Sequence, residues 1–288
     1  MWLVLAGSTS ALIQPATNRL LINRVQPARM GIAFGIKQAA PPAASLLAGL
    51  SVPLVAIALS WRWAYAMAGT FGIVVLLSIG RRPSSRQHGA TDEATSSSLG
   101  NRGTLLAMAS GFGLSIAAQS SLLTFYVDAA VSAGDSQQRA GVMLATASAA
   151  AVLTRLLAGG SVDRFRLDPF RVSSALLALG TSGLLLMATS IPSVMRAGVV
   201  ISLIGAWGFP GVFWLALVRA HPTQPGRITG IMAPAALGGV VGPPLFGTIV
   251  EAAGYGTAWG FAALWAALAS AAMRFGGRRG QAVSASTD

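Results

Sequence analysis

The sequence predicts an all-α membrane protein, and three observations predict it. Of the 288 residues, 53% are hydrophobic and only 10% are charged, with a mean hydropathy of +0.64. A soluble domain carries roughly 25% charged residues to cover its core, and this chain has too few for such a surface. Apolar runs of about 20 residues recur along it, the length of helix that crosses a hydrocarbon layer about 30 Å thick. The 34 glycines and abundant alanine suit helices that pack closely in lipid. Cysteine is absent, which excludes disulfides, thiolate metal sites and a cysteine nucleophile.

Nine spans are expected, over 2–22, 30–57, 61–80, 104–127, 138–158, 172–190, 195–218, 227–250 and 257–274. The first lacks the basic start of a signal peptide and runs through Gln14, Pro15 and Asn18 into a basic loop and another span. Residues 81–103 are rich in Ser, Thr, Arg and Gly and hold Asp92 and Glu93, the composition of a hydrophilic linker. The units expected are thus a partial bundle over 1–80, the linker over 81–103, a second bundle over 104–274 and a disordered polar tail over 275–288.

The net charge of +12 is distributed as a membrane protein distributes it. A nucleic-acid binder gathers its basic residues on one soluble face, whereas these arginines lie singly or in short groups between apolar runs. With the loop after the first span placed in the cytoplasm, that side holds Arg19, Arg24, Arg29, Arg81, Arg82, Arg86, Arg102, Arg164, Arg166, Arg171, Arg219, Arg227, Arg274, Arg278 and Arg279. The outer side holds only Arg62, Arg139 and Arg196, while Lys37 and Arg155 fall within spans. The excess of basic residues orients the chain and puts its C-terminus in the cytoplasm.

The chain also repeats at an offset of 198, which pairs Arg29 with Arg227, Gly49 with Gly247 and Trp61 with Trp259. Six spans lie within one offset, so the repeat unit is six helices and both copies keep one orientation, as in transporters with parallel halves. The seventh span maps back onto residues 1–20. Three helices are therefore expected before Met1: either the chain is a truncated product or those helices come from elsewhere.

Four segments together resemble the major facilitator superfamily. Pro27 to Gln38 is similar to the family's cytoplasmic loop into helix five, and Ser60-Trp61-Arg62-Trp63-Ala64 to its outer turn into helix six. Gly159-Gly-Ser-Val-Asp163-Arg164 resembles the second-half copy of its signature loop, and Gly226 to Gly247 its helix eleven. The family's pattern continues with glycine and paired basic residues, where this chain has Phe165-Arg166-Leu167-Asp168. The resemblance implies alternating access between two bundles in the cell membrane, with a small-molecule solute as partner, and neither enzymatic activity nor a cofactor.

Candidate site residues follow from polarity within spans. Lys37 stands seven or eight residues inside its span, roughly 11 Å from the cytoplasmic end, one turn before Pro41 and Pro42, whose missing N–H groups free carbonyls. A cation beside a broken helix suits an anionic solute, with Gln38 next to it; otherwise Lys37 snorkels to the interface. Gln14 and Asn18 share a helix face, as do Gln119 and Tyr126, and Trp207 and Trp214. These faces either line a solute site or serve helix packing. Gly159, Asp163 and Arg164 form a candidate conformational latch, in which Asp163 faces a helix N-terminus or a basic residue across the gap and Arg164 answers carboxylates or helix C-termini. Arg155, one turn before Gly159, either snorkels or braces that loop. His88 and His221 have no metal-ligand neighbours, and Asp128 and Glu251 lie near outer helix ends, so no metal site is expected and no residue for a coupling proton stands out. The alternatives are a multidrug or metabolite exporter, and a non-transporting remnant or scaffold.

The arginine asymmetry makes topology testable. Reporters fused after Arg86 or at Asp288 should report the cytoplasm, and one near Asp135 the outside. Finding residues 86 and 135 on one side would sink the nine-span arrangement.

Overall fold

The computed structural model describes residues 16–18, 20–51, 55, 59–78, 102–221 and 225–284. Among them there is no β-strand. Residues 16–18 and 20–24 are helical (α1), and the 3-10 turn Pro27–Arg29 leads into α2 (Met30–Ser51). Next come α3 (Trp61–Ser78), α4 (Arg102–Ser132), α5 (Gln137–Phe165), α6 (Pro169–Met187), α7 (Pro192–Ala206), α8 (Pro210–Ala220), α9 (Pro225–Met232) and α10 (Leu237–Ser284). Gln14, Arg19 and nearly all of the predicted linker lie outside the described residues.

Local chemistry sets the helix starts. Proline opens α6, α7, α8 and α9, where its fixed φ fits the first turn and its missing N–H costs nothing. Asp168 caps α6 by accepting from Phe170 N at 2.8 Å, and Ser136 caps α5 by accepting from Arg139 N at 3.3 Å.

Three predicted spans differ from single straight helices. The seventh is broken between Ala206 and Pro210, and the eighth passes through a 3-10 turn, Ala233–Ala236, that contains Pro234. The last two predicted spans fuse into α10, whose 48 residues would reach about 72 Å as a straight helix. That is more than twice a hydrocarbon layer. At Gly254 the backbone leaves the helix (φ 80°, ψ 169°), a conformation open only to glycine, and the turn falls between the two predicted spans. The tail is a correction: α10 continues to Ser284 rather than becoming disordered after Arg274. Gly276 and Gly277 are buried against Met108 and Phe170, a contact that the polar composition of the tail does not reveal.

Packing joins α4 to α10, α6 to both α7 and α10, and α2 to α5 and α8. One apolar cluster, with Leu122, Tyr126, Leu184, Met195 and Trp259, lies toward the loops at 133–136 and 188–191. A second, with Phe34, Phe112, Phe209, Phe213 and Trp214, lies toward the opposite, arginine-rich end. By contrast, α3 buries no residue. Glycines bring the helices together: a Cβ on Gly183 of α6 would meet Ser202 Oγ of α7 at 2.5 Å and Gly198 O at 2.6 Å. Likewise, a Cβ on Gly35 of α2 would meet the Arg155 carbonyl of α5 at 2.5 Å. This is close packing through small residues, since burying apolar surface gives helices no advantage over lipid tails.

Gly183→Val should overpack the α6–α7 crossing and cost about 1–3 kcal/mol. Gly141→Ala, with nothing within 4 Å of its Cβ, should cause no loss of stability and a gain of up to about 1 kcal/mol, since alanine is the better helix former. Thermal unfolding in detergent distinguishes the two; equal melting would show that the crossing is loosely packed.

Candidate functional site

At the arginine-rich end, the last turns of α5 carry Arg155, Gly159 and Asp163 four residues apart on one face. Gly159 lies directly against the main chain of Gly31, so α2 begins beside the end of α5. The contact delivers the first N–H groups of α2 to a carboxylate. Asp163 Oδ1 accepts from Gly31 N and Oδ2 from Ile32 N, both at 2.9 Å. Arg219 Nη2, from the last turn of α8, donates to Asp163 Oδ1 at 3.0 Å. Helix-start N–H groups have no partner within their own helix, and their dipole favours an anion. One carboxylate thereby ties α2, α5 and α8 together. The basic residue across the gap from Asp163 is Arg219, whereas the exposed guanidinium of Arg164 lies 5.8 Å from the centre of the Phe165 ring.

Two turns before Asp163, Arg155 is only 3% exposed. Its Nε donates to the Trp207 carbonyl, its Nη1 donates to the Gln38 carbonyl, and its guanidinium carbon stands 5.3 Å from the centre of the Trp207 ring. It therefore neither snorkels nor belongs to the loop, because the approach of α2 at Gly35 covers it.

The remaining polar candidates divide. Lys37 Nζ donates to Asn18 Oδ1, and Asn18 Nδ2 donates to Thr229 Oγ1 at 3.4 Å. Asn18 thus links α1 and α2 to α9. Gln38 is buried, and its partner at the site is reached through its main chain. Gln14 lies outside the described residues. Gln119 and Tyr126 are buried on α4, and among the described residues Gln119 Nε2 and Tyr126 OH have no hydrogen-bond partner. Trp207 and Trp214 do not form one wall. Trp207 joins the apolar cluster around Tyr126, while Trp214 stacks edge-on with Phe112 at 5.7 Å in the other cluster. Two turns of uninterrupted helix would align them; the break at 207–209 does not.

Three participants escape sequence reading. Arg219 and Thr229 meet their partners across 56 and 211 residues. Asp135, whose side chain is 1% exposed, pairs with Arg139 at 3.3 Å and Arg196 at 3.8 Å. It neutralises two of the three arginines read as lying on the outer side. Only the i, i+4 spacing of Asp135 and Arg139 was visible beforehand.

The sequence matches the Major Facilitator Superfamily over residues 1–236, most of the chain. The chain belongs to the major facilitator superfamily. Members of this superfamily are transporters, not enzymes. No curated protein matches the sequence. Among solved structures, it is similar to the transporter FucP in the outward conformation (TM-score 0.59, 18% identity, covering 76% of this chain and 55% of that one). A variant of the E. coli fucose:proton symporter FucP is also similar (TM-score 0.55, 16% identity, covering 60% of this chain and 42% of that one). The chain spans about half the length of these structures, and at such identity the likeness shows the superfamily fold alone.

Within that fold, Asp163→Asn would remove the charge that binds two N–H groups and Arg219. Charge-assisted contacts of this kind contribute about 1.5–3 kcal/mol each. With no native cysteine in the chain, Gly160→Cys places a single thiol beside this junction, next to Ile32. Asp163→Asn should speed its labelling about tenfold or more. Identical labelling in the two backgrounds would show that Asp163 does not hold the junction shut.

Proposed function

We propose that this chain belongs to a secondary transporter that carries a small organic anion across the cell membrane by alternating access. The observation that carries this reading is the position of Lys37. It is half-buried, the one charged residue of α2, and joined through Asn18 to Thr229 of α9. An ionisable group in such a place is costly unless a cavity, partner or substrate repays it. The ammonium supplies a compact charge, and Asn18 and Thr229 supply neutral hydrogen bonds, a set suited to a carboxylate with a polar neighbour. Because its partners come from both sides of the junction, a solute bound there would feel both bundles.

The other half of the cycle is the closed end. Asp163, Arg219 and the glycine contacts hold α2 against α5 and α8, and the positive-inside argument assigns this end to the cytoplasm. Similarity to FucP in its outward conformation supports reading this arrangement as the outward-facing state. A coupling proton is supported by the likeness to a fucose:proton symporter. The residue carrying it is not assigned.

Lys37→Ala should weaken binding of small mono- and dicarboxylates roughly ten- to a hundredfold. Lys37→Arg should lose less, because it keeps the charge without the compact ammonium. Equilibrium binding by the purified variants in lipid, with fucose as the neutral comparison, is the measurement. Unchanged carboxylate affinity in Lys37→Ala, or binding of fucose alone, would overturn the anion assignment.

A further inference from the structure

We infer that Arg155 is a clasp between two helix breaks, one in each bundle, and that its two main-chain contacts hold the junction in the conformation described. Both acceptors are carbonyls at helix interruptions, one beside a proline pair and one in the break between two helices. In a regular helix, the Gln38 carbonyl accepts from the N–H of residue 42. That residue is Pro42, which has none. The Trp207 carbonyl sits in the break between α7 and α8, where the residues that would continue the ladder are Pro210 and Gly211, the first two of a new helix. Arg155 Nη1 answers the first and Nε the second.

Neither carbonyl has water as an alternative. Gln38 is 5% exposed, Trp207 7% and Arg155 3%. Among the described residues no carboxylate pairs with Arg155, so the carbonyls and the Trp207 ring are what balance its charge. The three groups come from three helices: Gln38 from α2 on one side of the junction, and Arg155 and Trp207 from α5 and the end of α7 on the other. Lysine, a point charge without the planar fork, cannot span the same two carbonyls in this geometry. Opening the junction separates α2 from α5 and so breaks the Gln38 contact. The strength of that contact therefore contributes directly to the balance between closed and open forms. Pro42 is part of the device, because any other residue there could close the Gln38 carbonyl into the helix and release Arg155 from α2.

The inference rests on alternating access of the two bundles but not on any solute, so it is tested without one. Spin labels on Asn23→Cys and Ala220→Cys, the only thiols in the chain, report the distance between the bundles at this end in lipid nanodiscs by pulsed electron resonance. The parent should show mainly the short, closed distance. Arg155→Met should shift the closed-to-open ratio toward open by about tenfold or more, and Arg155→Lys by less. Pro42→Ala, which leaves the guanidinium in place, should shift it in the same direction. The double variant should open no further than Arg155→Met alone. Distance distributions of Arg155→Met that superimpose on the parent's would overturn the clasp. If Arg155→Met does not fold, Pro42→Ala decides: an unchanged distribution there overturns it equally. Failure to bind carboxylates, with these shifts present, would sink the anion reading and leave the clasp standing.

Discussion

A main-chain carbonyl or amide inside a hydrocarbon layer must find its partner within the protein, because there is no water to supply one. Most of this structure follows from that constraint. It makes the described fold all-helical, and it makes each interruption of a helix a place where a side chain or a neighbouring element must intervene. Pro42 and the break before Pro210 are such interruptions, and Arg155 donates to a carbonyl at each, Gln38 and Trp207. Gly31 and Ile32 present the same problem in reverse. Their N–H groups start a helix and need acceptors, which Asp163 provides.

The two solutions are stacked along one face of α5, and glycine makes both possible. Gly159 and Gly35 let α2 and α5 approach until main chain touches main chain. Larger residues would hold the helices apart and put Asp163 and Arg155 out of reach of α2. Charge, helix breaks and small residues are thus one arrangement, and removing any of the three undoes the others. Around these polar contacts the seam is closely packed, with Phe34 of α2 fully buried in one apolar cluster with Phe209 and Phe213.

Among α4 to α10 the logic differs. There α6 and α7 interlock through Gly180, Gly183, Gly198 and Gly205, and aromatic side chains fill both ends of the core. Asp135 collects Arg139 and Arg196 at the far end, so α5 and α7 are fixed relative to one another there.

Length and hydropathy by themselves determined the helical membrane class, because crossing a lipid layer imposes a minimum run of apolar residues that composition cannot hide. The placement of basic residues determined an expected orientation, and the apolar runs left a gap at 251–256 where the structure turns at Gly254. Sequence also picked out Lys37, Arg155 and Asp163 as unusual, since charge among apolar neighbours stands out in a string of letters. Only the tertiary structure decided what each of them touches. Asp163 meets the start of α2 and Arg219, Arg155 turns to carbonyls rather than to the membrane surface, and Trp207 parts from Trp214 because the helix between them breaks. Partners 56, 117 or 211 residues away are chosen by how helices cross. Crossing depends on the close approach of particular glycines, which helical periodicity along a single chain does not encode.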